Sequence, residues 1–199
     1  MKSDFVMGKF LFNSVVMRVM DIVISLLMIA ITSPVFLCLI VAGTIKFGSP
    51  LFLQRRVGTN KSVFTLYKFR SLPLSTPSVP THELNLSSIS SYGRALRKSK
   101  LDELPQLVNV INGQMSLVGP RPCLPSQTEL VRLREVSGVI VSKPGIAGLA
   151  QLHNIHMEHP EKVVELDRQM QSEMGVGFYL KILLATGFKL LSPKPKELK

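Results

Sequence analysis

An acidic pair, Asp102 and Glu103, opens the most informative stretch of this 199-residue sequence. The pair lies just ahead of Pro105, which a helix tolerates in its first turn but which costs about 3 kcal/mol in its interior. The sequence therefore predicts a helix that begins near Asp102 and stops at Asn112-Gly113, since glycine often follows a helix end. Four residues at helical spacing form its predicted apolar stripe: Leu104, Leu107, Val108 and Ile111.

Two explanations of Asp102 are open at this point. An aspartate at the start of a helix often caps free backbone amides, and Ser99 could form a capping box with it. The second explanation is that the acidic pair belongs to a chemical site. The segment that follows the predicted helix favours this second explanation.

Arg121 stands between Pro120 and Pro122, in a turn that follows a predicted short strand over 115–119. The two prolines stiffen the backbone, which reduces the entropy lost when the guanidinium binds a phosphate. A guanidinium can hold a phosphate through two parallel hydrogen bonds. The pattern therefore predicts phosphate binding at Arg121, with both prolines shaping the turn.

More cations come from a predicted β-hairpin, whose strands over 50–56 and 62–70 flank a turn at Gly58 and Asn60. Lys68 and Arg70 share one face of the second strand because side chains alternate along a strand. These cations either serve a site or only keep an exposed strand soluble. Residues 71–91 are rich in serine and proline and predict a flexible loop, followed by a basic helix over 92–100 that carries Arg97.

The composition restricts the class of protein. The formal net charge is +11, and 46% of the residues are hydrophobic. A disordered basic tail has too little apolar content to match, and an ordinary soluble enzyme fits poorly. The basic excess predicts an anionic partner, which could be nucleic acid, anionic lipid or a phosphorylated substrate. The two cysteines lie far apart in the sequence, which favours a reducing compartment.

A membrane segment is predicted near the N-terminus, since residues 22–45 carry no charge. As a helix the segment would be about 36 Å long, enough to cross a hydrocarbon core of about 30 Å. Ser33 and Pro34 lie near its middle, where the proline removes a backbone hydrogen bond. Basic residues flank both ends, and they prefer the cytoplasmic side. We therefore favour a re-entrant element that breaks at Ser33 and Pro34 over a kinked span, and both over a buried core helix.

Two C-terminal features remain ambiguous. The helical stretch over 178–191 is apolar with two lysines, and it is either a core helix or an interfacial one. His153, His156 and His159 could suggest a metal site, but residues six apart cannot converge from one helix. Residues 193–199 predict a solvated tail.

Several sequence blocks, in order, resemble the bacterial sugar transferase family, the small monotopic phosphoglycosyl transferases, in its minimal form. The matching blocks are Ser33-Pro34, Pro50 to Gly58, Lys68 to Ser71, Leu101 to Asn109, Gly113 to Pro122, Lys143 to Gly148 and Glu165 to Asp167. The resemblance implies transfer of a phospho-sugar from a UDP-sugar to a polyprenyl (undecaprenyl) phosphate, with release of UMP. It also implies a covalent aspartyl phospho-sugar intermediate and the start of surface glycan assembly.

By motif match, Asp102 would be the nucleophile and a ligand of Mg²⁺, with Glu103 as its catalytic neighbour. An aspartate attacking a diphosphate meets charge repulsion, which Mg²⁺ and nearby cations reduce. The predicted phosphate-binding residues are Arg121, Lys68, Arg70 and Arg97, together with Pro120 and Pro122. The implied partners are the UDP-sugar, the polyprenyl phosphate and a phospholipid membrane, not nucleic acid. The implied location is the cytoplasmic face of the bacterial inner membrane.

The expected fold is α+β and mostly helical. Residues 1–48 form the membrane element, and residues 49–199 form a cytoplasmic catalytic domain with a small hairpin and interfacial amphipathic helices. The sequence departs from the family pattern at Leu149, His153 to Ile155, Met170 and Tyr179, which leaves the sugar open. The alternative is a non-catalytic, membrane-tethered basic module that binds nucleic acid or anionic lipid.

Overall fold

The computed structural model describes residues 2–74, 76 and 89–191. Helices dominate, as predicted, and two small sheets complete the fold. In chain order the elements are α1 (Lys2–Phe47), β1 (Leu51–Val57), β2 (Val63–Phe69), α2 (Ser91–Lys98), α3 (Gln106–Ile111), β3 (Ser116–Val118), α4 (Thr128–Val136), β4 (Gly145–Ala147), α5 (Leu149–Leu152), α6 (Pro160–Glu173) and α7 (Val176–Leu191). Most of the predicted loop over 71–91 and the predicted tail over 193–199 lie outside the described residues.

The N-terminal helix α1 is 46 residues long and contains Pro34. Proline cannot donate to the carbonyl four residues earlier, which is that of Ala30. The Ser33 hydroxyl donates to this carbonyl at 2.8 Å and so replaces the hydrogen bond that the proline cannot make. The helix continues without interruption through both Ser33 and Pro34, and its course relative to a membrane stays a prediction. Only 6% of its most apolar window is buried, which excludes the core helix of a soluble protein.

The predicted hairpin is confirmed, with β1 and β2 paired antiparallel so that Leu51 faces Phe69 and Val57 faces Val63. Asn109 of α3 ties β2 to the rest of the domain. Its side chain accepts from the Tyr67 amide at 3.1 Å and donates to the Thr65 carbonyl at 2.7 Å. These two bonds fix the strand that carries Lys68 against the helix that follows Asp102 and Glu103.

The predicted helix over 102–111 is wrong at its start. A separate 3-10 turn covers Leu101–Glu103, and α3 begins only at Gln106. The apolar stripe is also shifted, since Val108 is 40% exposed while Val110 is fully buried. The cause is that α3 packs between α1 and β2, so partners outside the helix choose the buried face. The predicted stop is confirmed, because Gly113 takes a left-handed φ of +79°.

The main core lies among the hairpin, α3, β3, β4 and α7. Its buried residues include Phe64, Leu66, Leu107, Val110, Met115, Tyr179 and Ile182. Helix α7 buries one face and exposes the other, since Tyr179 is 1% exposed and Phe188 is 78% exposed. One face of α7 therefore belongs to the core, as one of the two readings predicts, and contact of the exposed face with lipid stays a prediction.

Candidate active site

Asp102 lies in the 3-10 turn just ahead of α3, and its side chain makes no cap. The residue that precedes this turn at its N-cap is Lys100, and Ser99 donates its hydroxyl to the carbonyls of Ala95 and Leu96. The capping explanation is therefore wrong. Asp102 is 7% exposed, and its Oδ1 is buried without a hydrogen-bond partner among the described residues. A buried carboxylate oxygen without a donor is costly, and sites of this kind are often functional.

Glu103, the neighbour of Asp102, is held by two cations. Lys68 Nζ lies 3.3 Å and Arg121 Nη2 lies 3.0 Å from Glu103 Oε1. Lys68 comes from β2 and Arg121 from the turn after β3, so three separate elements meet at this oxygen. The Glu103 side chain is 11% exposed and that of Arg121 is 35% exposed, so the cluster opens to solvent at Arg121.

The two adjacent carboxyl groups have opposite pKa shifts. Burial raises the pKa of Asp102 above its usual value, and the positive charge of Lys68 only partly offsets this. Burial also acts on Glu103, but Lys68 and Arg121 outweigh it and hold the pKa of Glu103 far below its usual range. Environments that shift the pKa values of two neighbouring carboxyl groups in opposite directions are typical of catalytic pairs with different roles. Glu103 is the fixed anion of the cluster, whereas Asp102 keeps one buried oxygen without a hydrogen bond among the described residues.

Further positive charge surrounds the pair. Arg97 lies close enough to Asp102 to act on it electrostatically, and its Nε donates to the Ser71 hydroxyl at 3.0 Å. Lys100 acts on both carboxyl groups. Arg56 of β1 also belongs to this group, and burial lowers its pKa to about 10 with help from Arg121. The cations outnumber the two acids, so the site has an excess of positive charge that suits an anionic ligand.

Arg70 does not join this cluster. Its Nε donates to the Ser49 carbonyl at 3.2 Å and its Nη2 donates to the Leu51 carbonyl at 2.9 Å. Strand β2 ends at Phe69, so the alternation that would keep Arg70 on the face of Lys68 no longer applies one residue later. Arg70 instead fastens the connection between α1 and the hairpin.

The turn that carries Arg121 is fixed at three consecutive carbonyls. The Pro120 carbonyl accepts from the Gly145 amide at 2.8 Å, that of Arg121 from Arg134 Nη1 at 2.9 Å, and that of Pro122 from Arg56 Nη1 at 3.0 Å. Both prolines are buried, as a shaping role for them requires. At Gly145 a Cβ would lie only 2.0 Å from the Gly119 amide nitrogen, so β4 can back this turn only with glycine.

Arg134 is a residue that the sequence reasoning missed. It is 4% exposed and pairs with the buried Asp167 of α6 at 2.7 Å. The available signal was its spacing, because Arg134 lies four residues after the buried Leu130 and so on the same helix face. Its place between charged surface residues of α4 hid this pattern.

The residues present fit a Mg²⁺ ion that is shared with a substrate. Mg²⁺ usually takes one or two carboxylates from a protein and completes its shell with phosphate oxygens and water. The unpartnered Oδ1 of Asp102 is a ligand of this kind. Within the described residues no group of three or more histidine, cysteine or acidic side chains could hold a metal, and this includes His153, His156 and His159.

An open groove of about 800 Å³ lies elsewhere, between α4 and α6, and its lining includes Leu133, Val164 and Arg168. None of the sequence-predicted site residues lines it. Its lining includes two acids, Glu161 and Glu165, and one cation, Arg168, so this groove does not repeat the excess of positive charge found around Asp102.

Comparisons with known proteins agree with the motif analysis. The profile of the bacterial sugar transferase family matches residues 12–193. A protein of Escherichia coli K12, named UDP-glucose:undecaprenyl-phosphate glucose-1-phosphate transferase, is 36% identical over 89% of this chain, but the match spans only 40% of that longer protein. An uncharacterized sugar transferase of Bacillus subtilis, EpsL, is 36% identical over 87% of this chain and 86% of its own length.

A third relative, the undecaprenyl-phosphate galactose phosphotransferase of Salmonella typhimurium, is 36% identical over 68% of this chain and 32% of its own length. The family match covers nearly the whole described structure, including both carboxyl groups and the Arg121 turn. The protein described here therefore belongs to the bacterial sugar transferase family.

Proposed function

We propose that this protein is a phosphoglycosyl transferase that moves a phospho-sugar from a UDP-sugar to undecaprenyl phosphate and releases UMP. The names of its relatives support the reaction class, and they include both glucose and galactose donors. The product would be the first lipid-linked unit of a surface glycan. The departures at Leu149 and Met170 leave the choice of sugar to experiment.

One observation carries this proposal: a buried aspartate with an unpartnered oxygen lies beside a glutamate that two cations already hold. Lys68 and Arg121 are bonded to Glu103 and not to Asp102, so the Asp102 carboxylate is not consumed by an ion pair. A non-catalytic basic module would have no use for such an oxygen, whose burial opposes folding.

The chemistry follows in two displacements at one phosphorus atom. In the first, an oxygen of Asp102 attacks the phosphorus next to the sugar, and the bond from that phosphorus to the bridging oxygen breaks. UMP leaves with the bridging oxygen, and an aspartyl phospho-sugar remains. In the second, an oxygen of undecaprenyl phosphate attacks the same phosphorus, and the bond to Asp102 breaks, which restores the carboxylate. Splitting the transfer in this way means that the nucleotide can leave before the lipid enters.

The residues around Asp102 assist by charge and by position. Arg121, at the exposed edge of the cluster, is placed to bind the diphosphate, and Lys68 lies deeper at the carboxylates. A bound Mg²⁺, held in part by Asp102, would neutralise phosphate charge. Because burial raises the pKa of Asp102, the surrounding cations also serve to keep it ionised when the substrate arrives.

The contacts of α1 support a location on one face of a membrane. Arg18, before the charge-free segment, bonds to α3, while Phe36 and Phe47, beyond Pro34, contact Phe69 and Tyr92 at ring distances of 5.0 and 6.0 Å. A bilayer core of about 30 Å cannot separate two ends that touch the same folded body. We therefore propose a monotopic, re-entrant course on the cytoplasmic face of the inner membrane.

Helix α7 extends this proposed membrane contact. Leu180, Leu184 and Phe188 follow one another at helical spacing, and Leu184 and Phe188 are more than 70% exposed. Helix α1 also exposes apolar side chains, such as Leu26 and Leu37, and it packs against α7. An exposed apolar stripe beside a membrane helix suits the headgroup boundary, where α7 would lie as an interfacial helix.

The test is UMP release by purified protein in detergent with undecaprenyl phosphate, Mg²⁺ and a panel of UDP-sugars. We expect release with at least one donor and none with Asp102→Asn. Arg132→Gln, which changes an exposed arginine of α4, is the matched control and should leave the rate unchanged. Failure of every donor in the panel, or full activity of Asp102→Asn, would contradict the proposal. Binding of nucleic acid or anionic vesicles without any UMP release would favour the basic-module alternative.

A further inference from the structure

Asp21 is a buried acid of α1, placed just before the charge-free segment. It is 3% exposed, and a single oxygen, Oδ1, accepts three hydrogen bonds. The donors are the Leu117 amide at 2.8 Å, the Ser116 hydroxyl at 2.9 Å and the Tyr179 hydroxyl at 2.6 Å. A buried carboxylate is tolerated only with such partners, so α1, β3 and α7 are fastened to one another at this point.

Arg18 makes a second attachment one turn earlier. Its Nη1 and Nη2 donate to the carbonyls of Val110 and Ile111, at 2.6 and 2.7 Å. These carbonyls lie in the last turn of α3, where a positive charge is favourable, and that of Val110 also accepts from the Gly113 amide at 2.9 Å. The guanidinium also lies beside Gly113, which has a left-handed backbone and turns the chain from α3 toward β3.

Arg18 and Asp21 therefore hold both sides of one bend in the chain. Residues three apart on a helix lie on the same face, so a single turn of α1 reaches the end of α3 and the start of β3. The other ends of these two elements carry the site, because Glu103 precedes α3 and Arg121 follows β3. Glu103 and Arg121 meet there at 3.0 Å.

We propose that Arg18 and Asp21 are positioning residues of the active site, which clasp the bend between α3 and β3 and so set the placement of Arg121 against Glu103. This inference rests on the proposed function for its kinetic consequence only. Helix α3 is about 9 Å long, and Arg121 lies four residues beyond Leu117, so a shift at the clasp moves both site residues. The membrane helix is then a structural part of the active site as well as an anchor.

Tyr179 gives this clasp a feature particular to this chain. It stands where the family resemblance leads us to expect an aspartate in the last helix. Burial raises the pKa of the Tyr179 hydroxyl, and its bond to Asp21 raises it further, so the group remains a proton donor. Tyrosine at this position can donate to Asp21, whereas a carboxylate there would repel it.

The kinetic test compares Asp21→Asn and Tyr179→Phe with Tyr92→Phe. Tyr92 is a matched control because its hydroxyl is buried without a hydrogen-bond partner among the described residues. For the UDP-sugar that the panel identifies, we expect kcat of Asp21→Asn to fall about tenfold to a hundredfold with KM changed less than about threefold, since small misplacements act mainly on the reacting geometry. The kcat of Tyr179→Phe should fall less than that of Asp21→Asn, and the kcat of Tyr92→Phe should equal that of wild type. Melting midpoints above the assay temperature separate this effect from unfolding.

Amide hydrogen exchange tests the clasp without catalysis. In Asp21→Asn we expect exchange to be at least about tenfold faster over residues 116–121, where the Leu117 amide loses its charged acceptor, and unchanged in Tyr92→Phe. The proposal requires both results. If folded Asp21→Asn has the amide exchange rates of wild type over residues 116–121, or the kcat of wild type, the proposal is overturned. If wild type releases no UMP with any donor, the proposed function fails, and the exchange result alone decides whether the clasp exists.

Discussion

Two buried carboxylate clusters of this protein differ in how completely their charges are matched. Asp167 and Arg134 form a pair in which Nε and Nη2 of the guanidinium donate to one carboxylate oxygen, at 3.0 and 2.7 Å, and each residue is nearly inaccessible. At the other cluster, Glu103 is bonded to two cations, while the Oδ1 of Asp102 has no hydrogen-bond donor in the described part of the chain. The first arrangement is complete and supports the fold. The second is incomplete, with spare positive charge and an open oxygen, and this is what a site for an anionic substrate needs.

The same substitution at the two aspartates should give opposite results. Asp102→Asn is expected to lower the rate of UMP release by about 10⁴-fold or more, as loss of a nucleophile does in other enzymes. Its melting midpoint should equal or exceed that of wild type, because burial opposes the charged form that is removed and the cations Lys68 and Arg121 are bonded to Glu103 instead. Rate assays and thermal melts on one preparation measure both quantities. A strongly destabilised Asp102→Asn would erase the contrast.

Asp167→Asn should instead act on stability. Removal of the charge leaves the buried Arg134 guanidinium without its counterion, which costs about 3 kcal/mol of unfolding free energy and lowers the melting midpoint by roughly 6–12 °C. The folded fraction should keep a measurable rate of UMP release. We expect this rate to fall only to the extent that the hydrogen bond from Arg134 to the Arg121 carbonyl weakens. Chemical denaturation gives the free energy directly. An unchanged melting midpoint would show that the Asp167–Arg134 pair does not stabilise the fold.

The variant Arg121→Lys tests whether the guanidinium of Arg121 binds a phosphate of the substrate. Lysine keeps the charge but cannot form two parallel bonds to a phosphate, so we expect the rate to fall about tenfold to a hundredfold. Arg132→Lys makes the same change on an arginine whose side chain is 60% exposed, and should leave the rate as it is. Steady-state kinetics on both variants decides this. Equal rates for Arg121→Lys and wild type would remove Arg121 from phosphate binding.

The smallest expected effect is a pH dependence that separates the two acids of the site. Burial raises the pKa of folded Asp102 above its unfolded value of about 3.9, so ionised Asp102 opposes folding, and does so increasingly as pH rises above that value. The stability gain of Asp102→Asn should therefore be absent near pH 4 and larger at neutral pH. Glu103 has a lowered pKa, so its contribution is present above about pH 4.3 and is lost as pH falls. Thermal melts from pH 4 to 8 test the sign for Asp102, and melts carried from pH 4 downward test the sign for Glu103.

Local patterns in the sequence predicted the hairpin, the short strand before Gly119 and the turn at Arg121. They failed where distant partners decide the outcome. The start of α3 moved to Gln106, and its buried face is set by α1 and β2 and not by its own periodicity. Arg70 was assigned to the site from strand alternation, but the strand ends before it.

The candidate site was predicted only in part for the same reason. Asp102, Glu103 and Arg121 came from compact motifs, whereas Arg56 reaches the site from β1 through contacts that no local spacing reveals. Asp21 was not singled out at all. In the sequence, a single acid beside an apolar segment only indicates where that segment begins. The hydrogen bonds of Asp21 with Leu117 and Tyr179 form only in the folded chain.

The central claim is that Asp102 attacks the phosphorus of the donor. Intact-mass spectrometry after incubation with an accepted UDP-sugar and Mg²⁺, but without undecaprenyl phosphate, tests it most directly. We predict a gain of the mass of the phospho-sugar, located at Asp102 by peptide mapping and accompanied by UMP in an amount equal to the protein. Addition of undecaprenyl phosphate should discharge it, and Asp102→Asn should not form it. An adduct on another residue would contradict this mechanism. So would release of UMP by wild type only when undecaprenyl phosphate is present.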